Sequence, residues 1–555
     1  MRANLPPANL ATVARQIELS HRIADVRAAR AAWDAASPDM CEAILGAAAK
    51  FAADVLEPLN RTMDADGVSL VAGRVVTSAA HREAWQQYVD AGWPTLEAEE
   101  DLGGQDMPAI LAFAAQELFD RACPAFGMLP VPQRSAFRLI RAFGDDNLKS
   151  RWLNRLVSGE WGATICVSEA GAGSDLRRIR TVASRAEDEG WLVTGNKAWI
   201  SFGDHDLAEQ IGHVVLARTT DAEGKSRPSL FLVPLILPDG SRNAVAVHRI
   251  EEKLGLHGSP TCELGFEQAR GILLGQEGRG LAQLFVMIAN MRMAVGAMGT
   301  GIASGATDLA MRYAEERLQG GSPDPVAIAR HADVQLQLLD LMAPTILMRG
   351  LLFAVANCND LASQGDTQAQ ALGAWLLPIV KTTGGETAFD VASGAIQVLG
   401  GAGYTSEWPA EQFLRDARVL TVFEGTTGMQ AQDLVLRRLV DDRSSFDSFM
   451  TTARGTGDAR LESCLDVLDQ AARTIAASPE CAEGGATAML HIAATAALAW
   501  IAAGYLRDGT SDAMLIAASE HWLDNATARA SRFLPRIAGG KTQAARYAAL
   551  RETLS

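Results

Sequence analysis

The stretch Val419-Leu-Thr-Val-Phe-Glu-Gly-Thr-Thr-Gly-Met-Gln430 places one carboxylate, that of Glu424, between an apolar run and a turn of glycine and threonine. Apolar neighbours withdraw water from a carboxylate and raise its pKa towards neutrality, where it is most effective as a base. The turn from Gly425 to Gly428 lets the backbone approach a ligand closely and supplies two hydroxyls. Alone, a glutamate before a glycine turn more often simply ends a helix or strand. The interpretation of Glu424 as a base therefore depends on the surrounding sequence.

Composition restricts the class of protein. The chain has 555 residues, which suggests about three or four domains. Of these residues 48% are hydrophobic, alanine above all, and only 6% are aromatic, which favours helices over an all-β fold. The net charge of -16 argues against binding to nucleic acid, because that requires clustered basic residues. A small anionic ligand needs only a local basic patch and is not excluded.

Cysteines and termini indicate the compartment. The seven cysteines are dispersed and form no C-x-x-C, so neither a disulfide framework nor a metal site is expected: Cys41, Cys123, Cys166, Cys262, Cys358, Cys464 and Cys481. The opening residues, Met1-Arg-Ala-Asn-Leu-Pro-Pro, are not followed by an apolar signal core. Residues 484–506 carry no charge and are long enough to span a bilayer, but their alanine and glycine content favours a buried bundle helix over a membrane anchor. We expect a cytoplasmic protein without a transmembrane segment.

Hydrophobic periodicity divides the chain into four parts. Residues 1–160 have helical spacing, and residues 441–555 form an alanine-rich helical tail. Residues 161–276 contain short β-rich runs separated by turn residues, as in antiparallel strands. Those runs are 163–167, 191–194, 213–217, 230–233 and 244–248, while residues 277–440 return to long helices at 281–318, 325–361 and 367–399. The prediction is an α+β, mainly α, fold with a β-barrel-like middle domain between helical domains.

Three sequence blocks resemble the acyl-CoA dehydrogenase family. The first runs from Gln397-Val-Leu-Gly-Gly-Ala-Gly403 through Leu414-Arg-Asp-Ala-Arg418 to Phe423-Glu-Gly-Thr426. The second is Cys166-Val-Ser-Glu-Ala-Gly-Ala-Gly-Ser-Asp175 with Lys197-Ala-Trp-Ile-Ser201, and the third is Lys253-Leu-Gly-Leu-His-Gly-Ser-Pro-Thr-Cys-Glu263. The blocks follow the family's order and cover about residues 40 to 440 of the chain. The chain is most similar to the larger branch of the family, whose members carry an extra C-terminal segment.

The resemblance implies both a fold and an activity. The fold is an N-terminal helical domain, a middle β-barrel, a C-terminal four-helix bundle and an additional helical domain. The activity is α,β-dehydrogenation of an acyl-CoA thioester to a trans-2-enoyl-CoA, with Glu424 removing the α proton and FAD taking the β hydride. An electron-transferring flavoprotein would accept the electrons. Fatty acid metabolism and a homo-oligomer, either a dimer or a tetramer, are also implied.

The resemblance also assigns roles to residues at matching positions. Those assigned to FAD are the backbone of Ile165 and Val167, the hydroxyls of Ser168 and Ser201, the ring of Trp199, the Arg317 side chain at the diphosphate, Gln397 and Gly401 across a subunit interface, and Thr426. Those assigned to the substrate are Ser174, Arg292 and Gly425. No residue is assigned to a metal.

Other interpretations remain open from the residues alone. Trp199 could be a core aromatic in a strand, and Arg292 could extend to the surface from a helix edge. The run Asp204-His-Asp206 is better explained as a polar loop than as metal ligands, because alternate residues of a strand point to opposite faces. A flavin oxidase or monooxygenase, or a regulatory relative without dehydrogenase activity, would use the same fold.

Overall fold

The computed structural model describes residues 4–187, 190–221 and 223–554, so Met1, Arg2 and Ala3 of the opening stretch lie outside it. Its α-helices are α1 Leu10–Glu18, α2 Ile23–Ala29, α3 Ala31–Asp34, α4 Pro38–Phe51, α5 Glu57–Asp66, α6 Ala79–Asp90, α7 Ala109–Ala122, α8 Pro124–Gly127, α9 Pro130–Phe143, α10 Asp146–Val157, α11 Gly280–Glu316, α12 Ala332–Ser363, α13 Thr367–Leu399, α14 Ala410–Ala417, α15 Thr427–Gln432, α16 Ser444–Arg454, α17 Ala459–Ala477, α18 Ala482–Arg507, α19 Ala513–Ser531 and α20 Leu534–Leu554. Its strands are β1 Ser69–Val71, β2 Arg74–Val76, β3 Trp161–Cys166, β4 Val182–Arg185, β5 Trp191–Ser201, β6 Gln210–Thr220, β7 Ser226–Pro234, β8 Val245–Ile250 and β9 Thr261–Leu273.

The chain forms two compact units. The first, here called the helical unit, comprises Met1–Lys50, Pro108–Arg121 and Val295–Ser555. The second, the sheet unit, comprises Phe51–Met107 and Ala122–Ala294. The division into domains at residues 160, 276 and 440 stays a prediction.

The sheet unit contains the predicted barrel-like sheet. Its strand order is β3-β6-β4-β5-β9-β7, and β6 also pairs with β7, which returns the sheet on itself. Strand β8 lies outside this ring and pairs with β9. The expectation of antiparallel strands is wrong for β3, which runs parallel to β6. A parallel pair needs a long crossover, and the segment containing β4 and β5 supplies it.

The hairpin β1–β2 and the strands β4 and β9 were not predicted. The hairpin β1–β2 lies within residues 1–160, where only helices were expected. Its turn uses Ala72 at φ 50° and Gly73 at φ 77°, the left-handed pair that tight hairpins require. Strand β9 was missed because Gly265 and Gly271 interrupt its apolar pattern. At Gly265 a Cβ atom would lie 2.2 Å from the His248 ring. The absence of a side chain at this position therefore leaves room for that ring against the strand.

The helical unit is built on α11, α12, α13 and α18. Helices at 281–318 and 367–399 were predicted and are found at α11 and α13. The helix predicted from residue 325 begins seven residues later, since the chain before it forms an isolated bridge between Leu318 and Ala327 and a short 3-10 turn. The bulky side chains of Phe353 on α12 and Trp375 on α13 are fully buried.

Aromatic contacts join the C-terminal tail to the bundle. The ring of Trp375 on α13 lies 5.1 Å from that of Phe446 on α16, and Phe449 lies 6.0 Å from Trp500 on α18. Among the described residues, three helices are long and apolar enough to cross a membrane by length and composition: Gly280–Glu316, Ala332–Ser363 and Pro479–Arg507. In Pro479–Arg507, 83% of the most apolar 18-residue segment is buried by neighbouring parts of the protein.

A buried ion pair lies inside the helical unit. Arg349 on α12 donates two hydrogen bonds of 2.8 and 2.6 Å to the two carboxylate oxygens of Glu117 on α7. It donates a third, of 2.9 Å, to the side chain of Gln16 on α1. Burial lowers the pKa of the Arg349 guanidinium, but the charge of Glu117 and its hydrogen bonds outweigh this and leave the pKa above its usual value. The pair therefore stays charged and fixes α7 against α12.

Candidate active site

The Glu424 turn follows a short 3-10 helix, Arg418–Thr421, and precedes α15. Glu424 adopts φ 53°, a left-handed conformation that residues other than glycine seldom adopt. Such conformations persist only where the surroundings impose them, and they concentrate at functional sites. Glu424 is half-buried, as are Phe423 and Val419 before it, whereas Val422 is 53% exposed. A raised pKa for Glu424 stays a prediction.

Two buried polar side chains hold the backbone of this turn. Lys381 on α13 is fully buried and donates a 2.6 Å hydrogen bond to the carbonyl of Gly425. Gln430 on α15, also fully buried, donates to the carbonyls of Glu424 at 3.0 Å and Gly425 at 3.3 Å. Buried polar groups require partners, so these contacts fix both the side chains and the turn. Sequence reasoning missed Lys381 and Gln430, because nothing in the local pattern reveals a bond to a backbone carbonyl.

Gly425→Ala is expected to disturb the turn and lower the stability of the helical unit. Gly425 has φ 85°, and an added Cβ would lie 2.8 Å from the Gln430 side-chain nitrogen. Strain of this kind costs about 1–3 kcal/mol, which thermal unfolding would register. Gly428→Ala is the matched control, because its Cβ would meet only the Thr426 hydroxyl, at 3.8 Å. Equal melting temperatures for the two variants would contradict this account of the turn.

In the sheet unit, a buried ion pair shapes the loop after β3. Lys197, fully buried on β5, donates hydrogen bonds to Glu169 at 2.8 Å and to the carbonyl of Val167 at 3.0 Å. Burial raises the pKa of Glu169, but hydrogen bonds from Lys197 and from the backbone of Arg180 and Thr181 outweigh it and leave the pKa below its usual value. The ionised pair therefore fixes Val167 and its neighbours in place. Neither Lys197 nor Glu169 was assigned a role from the sequence.

Trp199 is not a core residue. It lies at a β-bulge, where the pairing of β5 with β9 shifts register between Lys197 and Ile200. Its backbone is left-handed, with φ 65°, and its side chain is 59% exposed. A bulge redirects a side chain out of the regular alternation of a strand. The indole is thus presented as a flat apolar surface, which suits stacking on a planar ring.

The sheet unit also contains other predicted site residues: Ile165, Val167, Ser168 and Ser201, expected at the flavin, and Ser174, expected at the substrate. Ile165 and Val167 are half-buried at the end of β3, which is the terminal strand in the sheet order. An edge strand offers backbone hydrogen-bonding groups to a ligand. Ser168 and Ser201 are half-buried, and Ser174 is exposed. Within the part of the chain that the structure describes, the three hydroxyls make no hydrogen bond to protein.

The other predicted positions lie at helix ends or on a helix. Arg292 is half-buried on α11 between the buried Met291 and Met293. Arg317 immediately follows α11, and its side chain is exposed. Gln397 is in the last turn of α13 and Gly401 in the 3-10 helix Gly400–Tyr404 that follows, both exposed.

The polar run at residues 204–206 has a structural role in the sheet unit. Asp204 accepts hydrogen bonds from Arg74 at 2.7 Å and from the backbone of Val75 at 2.9 Å. Asp206 accepts from the Thr77 hydroxyl at 2.7 Å. These contacts attach β2 and the residue after it to the loop between β5 and β6. Among the described residues no group of three or more histidine, cysteine, aspartate or glutamate side chains is arranged to hold a metal ion.

Sequence models of the acyl-CoA dehydrogenase family match three stretches of the chain: the N-terminal domain over residues 38–160, the middle domain over 164–269 and the C-terminal domain over 278–439. The 3-methylmercaptopropionyl-CoA dehydrogenase of Ruegeria pomeroyi is 38% identical over 419 residues, which are 73% of this chain and 71% of that protein. The broad-specificity linear acyl-CoA dehydrogenase FadE5 of Mycobacterium tuberculosis is 32% identical over 70% of this chain and 69% of its own. The crystal structure of an acyl-CoA dehydrogenase complexed with FAD from Bacillus anthracis has a TM-score of 0.74 at 19% identity, covering 92% of this chain and 91% of that one.

The chain therefore belongs to the acyl-CoA dehydrogenase family. It is a flavoprotein oxidoreductase that acts on acyl-CoA, with FAD as its cofactor. The resemblance to the larger branch is confirmed, as is the α+β, mainly α, fold with a middle β domain between helical domains. The structural match to the Bacillus anthracis protein extends the shared fold into the C-terminal tail, beyond the three family domains.

Proposed function

We propose that Glu424 is the base in an α,β-dehydrogenation that converts an acyl-CoA thioester to its trans-2-enoyl-CoA. The observation that carries this proposal is the left-handed Glu424 turn, held by Lys381 and Gln430. The fixed backbone limits the positions that the Glu424 carboxylate can take, so less reorganisation is needed before it takes a proton. The α carbon of the thioester gives up its proton to the Glu424 carboxylate as the Cα–Cβ double bond forms.

The developing enolate oxygen needs hydrogen-bond donors, since an α C–H is a weak acid. We assign one donor to the backbone N–H of Glu424, which the fixed turn holds in a defined direction. Donors that are already oriented stabilise developing negative charge without a reorganisation cost. Gly425 gives the substrate close access to the backbone, and Arg292 and Ser174 are assigned to the CoA portion. A half-buried guanidinium such as that of Arg292 suits an anionic or carbonyl partner.

The flavin site is proposed on the exposed surface of the sheet unit. Trp199 fits FAD because its exposed indole is held out of the strand at a bulge. The Ser168 and Ser201 hydroxyls and the β3 backbone at Ile165 and Val167 supply hydrogen-bonding groups for a flavin edge. FAD, when bound, accepts the hydride from Cβ. Arg317, Gln397, Gly401 and Thr426 are proposed to contact the remainder of the cofactor, the first at its diphosphate.

Trp199→Ala is expected to weaken FAD binding about tenfold while leaving the apoprotein folded, because tenfold corresponds to the loss of about 1.4 kcal/mol of ring packing. The apoprotein's unfolding free energy should change by less than about 0.5 kcal/mol, as for other exposed positions. Flavin fluorescence during dialysis measures the affinity, and Trp199→Phe is the conservative control. Unchanged FAD affinity in Trp199→Ala would place the flavin elsewhere.

Partners and compartment are also proposed. We infer an electron-transferring flavoprotein as electron acceptor, a homo-oligomer completed by the Gln397 and Gly401 loop, and a role in fatty acid metabolism. A cytoplasmic location is supported by the seven cysteines, which form no disulfide within the described part of the chain. Residues 484–506 are proposed to form a bundle helix, in line with the burial of α18 against α17, α19 and α20.

Product analysis tests the dehydrogenase against the oxidase alternative. Acyl-CoA incubated with the protein and a flavoprotein acceptor should yield a trans-2-enoyl-CoA two mass units lighter, with little oxygen uptake. Rapid oxygen consumption with stoichiometric hydrogen peroxide would favour an oxidase. An oxygenated product would favour a monooxygenase, and bound FAD with no reaction would favour a regulatory relative.

A further inference from the structure

The C-terminal tail contacts a carboxyl group beside the Glu424 turn. This carboxyl belongs to Glu386 on α13, and its Oε1 accepts a 3.2 Å hydrogen bond from the hydroxyl of Thr427, the first residue of α15. Its other oxygen, Oε2, lies 3.3 Å from Nδ1 of His491 on α18. The two carboxyl oxygens therefore have separate partners, one in the turn region and one in the tail.

The imidazole of His491 is itself held in one orientation. Its ring stacks on Phe533, between α19 and α20, with centroids 4.9 Å apart and an interplanar angle of 15°. The guanidinium of Arg532 lies over the ring of Phe533, 4.7 Å from its centroid. Helix α18 also packs directly against α15. The position of Nδ1 is thus set by the packing of the tail helices.

The chemistry of Glu386 suits a role between these two partners. Burial raises the pKa of the Glu386 carboxyl to about 7, an effect that the Thr427 hydrogen bond opposes, Asp390 reinforces and Lys381 opposes. Burial also lowers the pKa of His491, with Arg532 and Arg536 adding to the effect and Asp390 opposing it. A neutral carboxyl can donate from Oε2 to the neutral imidazole while Oε1 accepts from Thr427. Both contacts are then satisfied without a buried ion pair.

We propose that the C-terminal segment positions the catalytic turn through a chain of three side chains, His491, Glu386 and Thr427. This proposal rests on the proposed role of Glu424 as base. On α13, Lys381 fixes Gly425 and Glu386 fixes Thr427, so one helix holds the turn at two points after Glu424. The tail stabilises the second point through His491. All three are positioning residues and need not touch the substrate.

The pair also lines a cavity between α12, α13, α18 and α19. This cavity has a volume of about 680 Å³ and includes Glu386, Asp390 and His491 among its lining residues. Because the tail forms one wall of the cavity, loss of the His491 contact leaves Glu386 facing space and not another packed side chain. The carboxyl would then keep its hydrogen bond from Thr427 but lose its contact with the tail, so the second support of the turn would be weaker.

The test uses ring-preserving substitutions in the FAD-loaded protein. His491→Phe keeps the stack on Phe533 but removes the nitrogen that faces Glu386. His521→Phe is the matched control, since His521 on α19 lies 3.0 Å from Asp340 on α12 and has no contact with the turn. Thr427→Val removes the hydroxyl and Thr427→Ser retains it. Glu386→Ala removes the central carboxyl.

The expected kinetic result is a loss of turnover without a loss of binding. His491→Phe, Glu386→Ala and Thr427→Val should each slow anaerobic flavin bleaching at saturating acyl-CoA about tenfold, the equivalent of one lost hydrogen bond. The half-saturating acyl-CoA concentration should change less than about twofold, because positioning acts on the chemical step. Thr427→Ser and His521→Phe should match the wild type. In the Glu386→Ala background, His491→Phe should have no further effect, as expected for residues that act through one chain.

Amide hydrogen exchange provides a second readout that does not depend on activity. His491→Phe and Glu386→Ala should raise exchange in the peptide around residues 419–432, whereas His521→Phe should not. Equal behaviour of His491→Phe and His521→Phe in exchange and kinetics would overturn the proposal, and so would additive effects of His491→Phe and Glu386→Ala. If none of the acyl-CoAs bleaches the flavin of the wild-type protein, the proposed function fails. The exchange result alone then decides whether the tail supports the turn.

Discussion

Glu424→Gln is expected to retain bound FAD and to lose flavin bleaching by acyl-CoA by about 100- to 10,000-fold, the range that general-base catalysis contributes. The amide has nearly the same size and shape as the carboxyl, so the left-handed turn and its bonds from Lys381 and Gln430 should persist. It cannot accept a proton from the substrate α carbon. Anaerobic stopped-flow absorbance, with a fixed excess of acyl-CoA, measures the effect.

Two controls separate the loss of a base from the loss of the turn. Glu424→Asp keeps a carboxylate on a shorter side chain and should be slower than the wild type but faster than Glu424→Gln. The affinity for the enoyl-CoA product should be nearly unchanged in Glu424→Gln, because the turn backbone is intact. Fast bleaching in Glu424→Gln would assign the base to another residue.

Glu117→Leu is expected to destabilise the helical unit by about 3–5 kcal/mol, the cost of removing one partner from a buried ion pair. Glu117 is 1% exposed and Arg349 6%, so water cannot replace the lost carboxylate. The Arg349 guanidinium would remain buried with the Gln16 side chain and the Ser304 hydroxyl as partners. Urea unfolding followed by far-ultraviolet circular dichroism measures the loss as a lower midpoint.

The double variant Glu117→Leu with Arg349→Met should recover most of that stability, because no buried charge is left without its partner. Asp447→Ala is the surface control. It removes the exposed pair with Arg443 and should cost about 1 kcal/mol or less. A midpoint for Glu117→Leu equal to that of Asp447→Ala would show that the buried pair contributes little.

Much of the fold could be predicted because it follows from local patterns. The helices α11 and α13 have long apolar periodicity, and β6 and β7 are continuous apolar runs, so the sequence identifies both kinds of element. The hairpin β1–β2 and strand β9 could not be recognised in this way. Strand β9 pairs with β5, which is distant in the chain, and its glycines weaken the strand pattern. The strands of the hairpin β1–β2 have three residues each, too few to show an alternation.

The candidate site was only partly predictable for a similar reason. The Glu424 turn is contiguous in sequence, and its glycines predict that a ligand can approach the backbone closely. The side chains that fix it, Lys381 and Glu386, lie about forty residues earlier on α13 and look like ordinary charged residues of a helix. Their roles arise from the full burial of Lys381 and the partial burial of Glu386, which the sequence does not reveal for single charged residues in a helix. For Trp199, only the bulge seen in the structure shows that the ring is exposed and is not a core aromatic.

Anaerobic titration of the purified flavoprotein with a panel of acyl-CoAs is the decisive test of the dehydrogenase function. The panel should include short straight, branched, long and methylthio-substituted acyl chains, because the R. pomeroyi relative is named for 3-methylmercaptopropionyl-CoA. One chain class should remove the visible flavin absorbance at about one equivalent, and Glu424→Gln should prevent this with the same thioester. Bound FAD that keeps its absorbance with every thioester would contradict the dehydrogenase function.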